Sequence, residues 1–369
     1  MAQKLFSPAT IGALTLTNHI VMAPMTRSRA LGNIPNDMMA KYYAQRASAG
    51  LIVTEGTSPS PNGLGYARIP GIYSPEQVEG WKKVTSAVHE KGGAIFVQLM
   101  HTGRISHIAN IPAGGEILAP SAITAAGDMW TDSDGMQPHT APREMTTADI
   151  KTAIQEFVKA ARNAVEAGFD GVELHGANGY LIEQFLSARS NQRTDEYGGS
   201  IENRSRFLLE VAGQTIAAIG ADKVGVRLSP FGGAGDLLPH ADDTHDLYVY
   251  LTGKLNELGL VYLHLVDHSG MGGTAVPVAT SEAIRSAFTG ALILVGDYHD
   301  ATRAEADLQS GKGDLIAVGR PFIANPDLVE RLGTGAELVQ PDYATFYAPG
   351  AKGFEQGYID YPVLAETQA

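Results

Sequence analysis

Eight short apolar runs recur along the chain, each ending in a polar or glycine-containing turn, and they constrain the fold more than any other feature. They are HIVMAPM (19–25), GLIVTEG (50–56), AIFVQL (94–99), GVELH (171–175), VGVRLS (224–229), VYLHLVD (261–267), LILVGD (292–297) and LIAVGR (315–320). Rich in Val, Ile and Leu without strict alternation, they read as parallel strands covered on both faces. Amphipathic helical segments lie between them. Over 147–167, Ile150, Ile154, Phe157, Val158, Ala161 and Val165 recur at three- and four-residue steps and so predict one apolar face. Ser74-Pro75-Glu76-Gln77 reads as an N-cap, a first-turn proline and a capping-box glutamine. Gly50, Gly92, Gly168 and Gly259 each follow a helical run and are expected to close it. Strand then helix, eight times, predicts an α/β fold of the (β/α)8 or TIM-barrel type rather than a doubly wound sheet.

At 369 residues the length alone would allow two or three domains, but one such barrel also fits. The reading is therefore one domain over 1–369. Residues 1–18 are expected to cap the barrel bottom, and 100–146 to form a long loop or lid after the third strand, since connections of that length are usually functional. The net charge of −13 argues against a nucleic-acid partner, which needs a basic surface. With no cysteine, disulfides, thiolate metal sites and a cysteine nucleophile are excluded. His101, His107 and His268 lack a carboxylate set, so no metal is expected. No signal-peptide core or membrane-length apolar run is visible, and the cytoplasm is the default location.

In a barrel of this kind the active site lies at the C-terminal ends of the strands. Read as a ring, those ends carry Pro24, Met25 and Thr26; Glu55 and Gly56; Gln98; His175, Asn178 and Tyr180; Arg227; Asp267 and His268; Gly296 and Asp297; Gly319 and Arg320. Glycines ending the last two strands expose backbone N–H groups, and Arg320 adds a charge suited to phosphate. The alternative is that Gly296 and Gly319 merely permit tight turns. Asp297 fits a phosphate only through its amide. Opposite them, Gln98 and Arg227 suit a flat heterocycle on which negative charge develops, although Gln98 could instead pair with backbone. The string HGANGY (175–180) holds two groups able to polarise an oxygen and one able to give a proton.

The chain resembles the Old Yellow Enzyme family of FMN-dependent ene-reductases, in particular the bacterial branch of N-ethylmaleimide and nitrate-ester reductases. The resemblance rests on IVMAPMTRSRA, YYAQRASAGLIVTEGT, VQLMHTGRISH, GFDGVELHGANGYLIEQFL, SNQRTDEYGGSIENRSRFLLEV, VGRPFIANPDL, TFY and GYIDYP, which span nearly the whole chain. It implies tightly bound, non-covalent FMN, its ring meeting Pro24, Met25, Thr26, Gly56, Gln98 and Arg227 and its phosphate meeting Gly296, Asp297, Gly319 and Arg320. Thr26 matches the position that contacts the flavin C4 carbonyl. His175 and Asn178 match the paired donors to the substrate oxygen, and Tyr180 the proton donor. Tyr66, Met100 and Tyr347, with Thr26, match positions around the substrate.

The implied cycle is ping-pong, with NADPH preferred over NADH as reductant and a small activated alkene (an enone, maleimide or nitroalkene) as oxidant. Neither a nucleic acid nor a membrane partner is expected, and the chain is expected to be a monomer or weak homo-oligomer. A nitrate-ester or nitroaromatic reductase on the same flavin site is the nearest alternative, and a flavin-free phosphate-binding lyase or isomerase a remote one. Met100 stands where relatives of that branch often have tryptophan, and the loops at 127–140 and 231–243 depart from the family pattern.

Overall fold

In the computed structural model, which describes residues 3–296, 298 and 300–364, the eight apolar runs form the eight strands of a closed parallel barrel. Numbered β1 to β8 in chain order, the strands are Ile20–Met22, Leu51–Val53, Ile95–Leu99, Gly171–Gly176, Val224–Leu228, Tyr262–Val266, Ala291–Val295 and Leu315–Val318. Six of them end before their apolar run does, and the run's last residues leave the sheet to build the rim; Ile95–Leu99 and Gly171–Gly176 stay in the sheet to the end of theirs. Helices follow the strands. The longest, Thr147–Glu166, opens with a reciprocal capping box between Thr146 and Asp149, a device worth about 1 kcal/mol. Its buried face carries Ile150, Ile154, Phe157, Val158 and Ala161, at about 1.5–3 kcal/mol for each large side chain. Val165, expected on that face, is instead exposed, and the last turn buries Ala164 in its place.

The capping box at Ser74 and Gln77 forms as read. Gly92, Gly168 and Gly259 take positive φ at their helix ends. Gly50 does not. There the backbone of Asn18 passes so close that an added Cβ would lie 2.1 Å from its carbonyl oxygen, so close approach, not helix termination, explains that glycine.

Alternation along the strands sorts the barrel interior into layers. At the bottom, Phe96 and Tyr262 fill the centre with ring centroids 5.7 Å apart. Gly171 and Gly225 leave room for them: a Cβ would meet the Phe96 ring at 2.4 Å and the Tyr262 ring at 2.3 Å respectively. The hairpin Ala9–Ile11 and Leu14–Leu16 packs Ile11 and Leu16 onto this lower cluster and closes the base. Two residues further along the same strands come Gln98, Glu173, Arg227 and His264, and above them the barrel opens. Register explains their meeting: Glu173 lies beside Gln98 on β3, and His175, Arg227 and His264 are successive neighbours across β4, β5 and β6.

The stretch 100–146 is not an irregular loop. It contains a short parallel pair, Leu118–Ala119 with Arg143–Glu144, and an antiparallel hairpin, Asp128–Thr131 with Gly135–Pro138. Ile105, Ala125 and Met129 form a small buried cluster against which Tyr66 and Tyr180 pack. Among the described residues no helix is long and apolar enough to cross a membrane, and no group of three or more His, Asp or Glu is placed to hold a metal.

Candidate active site

A cavity of about 560 Å³ opens at the C-terminal end of the barrel, within the size range of small-molecule and cofactor sites. Pro24, Met25, Thr26, Gly56, Gln98, Met100, His175, Asn178, Tyr180, Arg227, Gly296, Gly319, Arg320 and Tyr347 all line it. Of the ring read from sequence, Asp267 also lines it, whereas Glu55 and His268 do not. Glu55 points into the wall, where it accepts from the Tyr43 hydroxyl at 3.2 Å and the Arg27 amide at 3.3 Å. Tyr66, expected to line the substrate space, stands beside Tyr180, with the two hydroxyls 3.0 Å apart, and packs on the cluster that contains Met100. Asp297 lies outside the described residues.

The floor is a buried charge network that the sequence reading missed. Glu173, fully buried, accepts from Gln98 Nε2 at 2.8 Å and pairs with His264 Nδ1 at 2.8 Å. Burial alone would raise the carboxyl, but His264, Arg227 and Gln98 outweigh it and hold Glu173 below its ordinary value. Gln98 therefore pairs with a carboxylate rather than with backbone. Arg227 is 6% exposed and its Nε has no partner among the described residues, a costly state for a buried donor unless a bound group accepts from it. The visible signal was a lone Glu inside GVELH and a lone His inside VYLHLVD.

Replacing Glu173 by Gln is expected to lower stability by about 3–5 kcal/mol, because it strands Arg227 without a counter-charge. Urea unfolding measures it, and an unchanged midpoint and slope would overturn this account of the floor.

The turn after β4 presents three polar groups to the cavity. His175 Nδ1 accepts the Ala177 amide at 3.3 Å, so the proton sits on Nε2. Burial, with Arg227 and His264 nearby, holds the imidazole well below its ordinary value, which keeps it neutral with one N–H to give. Asn178 adopts φ +58°, a conformation Asn tolerates better than most residues, and its amide donates to Ser229 Oγ at 2.9 Å. Glu183 braces the same turn: it accepts from the Gly179 amide at 2.6 Å, Ser229 Oγ at 2.7 Å and Tyr248 at 2.8 Å. Tyr180 stands edge-on to His175, with ring centroids 4.8 Å apart, and burial raises its phenol above the usual value.

At the opposite end, a Cβ on Gly319 would find protein only at 3.7 Å, on Met25 Sδ. Protein packing does not require glycine there; its absence of side chain keeps that end of the cavity open. Arg320 is exposed and makes no ion pair among the described residues. An open end beside an uncommitted guanidinium, joined to a floor with an unsatisfied Arg227 Nε, fits a ligand with a phosphate at one end and a hydrogen-bonding ring at the other.

The far wall is the C-terminal segment, and its attachment also went unread in the TRSRA string. Arg27 Nε donates to the Phe346 carbonyl at 3.1 Å, and Arg29 Nη2 to the Thr345 carbonyl at 2.7 Å. Both arginines are buried. They pin the stretch that carries Phe346 and Tyr347 to the residues directly following Thr26.

The NADH:flavin oxidoreductase / NADH oxidase family model matches residues 4–338. A protein of Leishmania infantum named "Probable flavin mononucleotide-dependent alkene reductase" is 42% identical over 98% of this chain and 97% of its own. 12-Oxophytodienoate reductase 7 of Oryza sativa subsp. japonica is 41% identical over 99% of this chain and 96% of its own. Morphinone reductase superimposes with a TM-score of 0.94 at 44% identity, over 100% of this chain and 98% of that one; the same protein in complex with tetrahydroNAD gives 0.91. On these matches the chain is a flavin oxidoreductase of the Old Yellow Enzyme family.

Proposed function

We propose that the chain is an FMN-dependent ene-reductase that oxidises a reduced nicotinamide dinucleotide, NADPH or NADH, and reduces activated C=C bonds of small molecules such as enones, maleimides and nitroalkenes. The observation that carries this reading is the convergence of His175 Nε2–H, Asn178 and the Tyr180 hydroxyl on one side of a cavity whose floor holds Arg227 and Gln98.

FMN, when bound, supplies hydride transfer from the nicotinamide and to the alkene. Pro24, Met25, Thr26, Gly56, Gln98 and Arg227 would hold its ring, and Gly296, Gly319 and Arg320 its phosphate. Arg227 would favour negative charge on the ring carbonyl side, and the buried Glu173 nearby supplies a counter-charge that favours its charged form. His175 and Asn178 bind the carbonyl or nitro oxygen of the alkene and stabilise the charge that grows there as the β-carbon is reduced. Tyr180 holds a proton at its hydroxyl for the α-carbon. The hydroxyl of Tyr66, 3.0 Å away, can stabilise the phenolate left behind.

The morphinone reductase complex with tetrahydroNAD supports a nicotinamide dinucleotide as reductant without choosing between phosphorylated and unphosphorylated forms. Anaerobic titration tests the proposal: the purified protein should carry or take up FMN, bleach with NADPH or NADH, and recolour on addition of 2-cyclohexenone. Failure to bind FMN would overturn the assignment, and failure to recolour with any activated alkene would overturn the substrate class. A nitrate ester in a parallel arm compares the two oxidants directly.

A further inference from the structure

We infer that His268 is a positioning residue that fixes the rotamer of the Asn178 carboxamide, so that its NH2 rather than its carbonyl oxygen faces the substrate. The inference deepens the proposed ene-reductase reading and rests on it for its catalytic consequence.

An asparagine clamp has an inherent ambiguity. Its oxygen and nitrogen are nearly the same size, and only the nitrogen can donate to an oxygen that is gaining charge. The backbone of Asn178 is fixed by Ser229 and Glu183, but those bonds do not sense the amide's rotation. His268 does. From the turn after β6, its Nε2 lies 3.0 Å from Asn178 Oδ1, while Asn178 Nδ2 has no acceptor among the described residues and Asn178 lines the cavity.

The tautomer follows from the other ring nitrogen. His268 Nδ1 is buried and has no partner among the described residues. A proton on Nδ1 would be a buried donor without an acceptor, and would leave Nε2 facing a carbonyl oxygen that cannot donate to it. The proton therefore sits on Nε2 and is donated to Asn178 Oδ1. Burial, with Arg227 next in importance, keeps the imidazole below its ordinary value, so Nε2–H is its one donor.

The ring is also held sterically. A Cβ on Gly232 would fall 2.6 Å from His268 Cε1 and 2.8 Å from Nδ1, and one on Gly273 would fall 2.8 Å from its Cβ. These two glycines leave a slot that the histidine fills. Since His268 does not line the cavity, it acts through Asn178 alone.

A double-mutant cycle on the FMN-loaded enzyme tests this. His268→Leu is expected to lower kcat/KM for 2-cyclohexenone by about 10- to 100-fold, short of the full loss of one preorganised donor, with FMN content unchanged. His268→Gln, which retains an N–H donor, should recover most of it. In an Asn178→Ala background the same His268→Leu change should have almost no further effect, because the group it orients is gone.

Equal losses in both backgrounds would overturn the inference, as would full activity in His268→Leu. A second readout needs no substrate. In protein labelled with 15N-asparagine, the Asn178 side-chain NH2 signal, identified by its disappearance in Asn178→Ala, should shift or broaden in His268→Leu and return in His268→Gln. An unmoved signal would overturn the inference, whereas an inactive parent enzyme with a moved signal would count only against the alkene substrate.

Discussion

Removing both donors at the head of the cavity, in His175→Ala combined with Asn178→Ala, is expected to lower kcat/KM for 2-cyclohexenone by about 1000-fold or more, since a single preorganised donor of this kind is typically worth 100- to 1000-fold. The size follows from the environment. His175 is buried and held neutral by burial and by Arg227, so it neither reorganises nor changes charge as the substrate oxygen becomes negative. The Asn178 backbone is fixed by the Ser229 hydroxyl at 2.9 Å, and its side-chain carbonyl lies 3.0 Å from His268 Nε2. Donors set in place before the reaction lose little to reorganisation, and low local polarity strengthens their effect.

FMN should be retained in the double variant, because Gly296, Gly319, Arg320, Gln98 and Arg227 are untouched. Stopped-flow mixing of pre-reduced enzyme with cyclohexenone isolates the oxidative step. A loss smaller than about tenfold, less than one such donor is worth, would remove the oxygen clamp from the mechanism. Loss of FMN would instead mean that the pair supports the ring and not the alkene.

The contrast between what could and could not be read from the chain has a simple physical source. Runs such as IFVQL and YLHLV announce strands because burial on both faces demands apolar side chains at nearly every position. The helix start at Ser74 was legible because a cap is local chemistry, and the helix over 147–167 because its apolar residues recur at helical spacing. Pairings across the barrel were not. Glu173 meets Gln98 from 75 residues away and His264 from 91, and only the strand register reveals that all three point inward at one height.

The same holds for His268, whose bond to Asn178 crosses 90 residues. From the sequence it was one more histidine without a carboxylate. Tyr66, matched to the substrate space, stands beside Tyr180, from which 114 residues separate it in the chain. Gly50 and Val165 show the limit of one-dimensional patterns, since the glycine after a helix answers to the backbone of Asn18 and the valine at helical spacing faces solvent.

Tyr180→Phe should slow alkene reduction by about 100- to 10,000-fold, the range for loss of a positioned general acid, while leaving reduction of the flavin by NADPH or NADH close to the parent rate. The two half-reactions separate because hydride transfer from a nicotinamide needs no proton from the protein, whereas protonation of the α-carbon does. Phenylalanine keeps the ring that stands edge-on to His175 at 4.8 Å and to Tyr66 at 6.1 Å, so the wall is preserved and one hydroxyl is lost. Burial raises the Tyr180 phenol above its usual value near 10. The group is thus fully protonated through the neutral range, and the parent rate should show no dependence on its ionisation between about pH 6 and 9.

Stopped-flow absorbance of the flavin in each half-reaction measures both rates, and turnover in D2O should place deuterium at the α-carbon. Equal slowing of the two halves would assign Tyr180 to packing or to nicotinamide binding. An unslowed oxidative half would mean that solvent reaches the α-carbon unaided, and the enclosure built by Ile105, Ala125, Met129 and Tyr66 around the tyrosine makes that route the less accessible one.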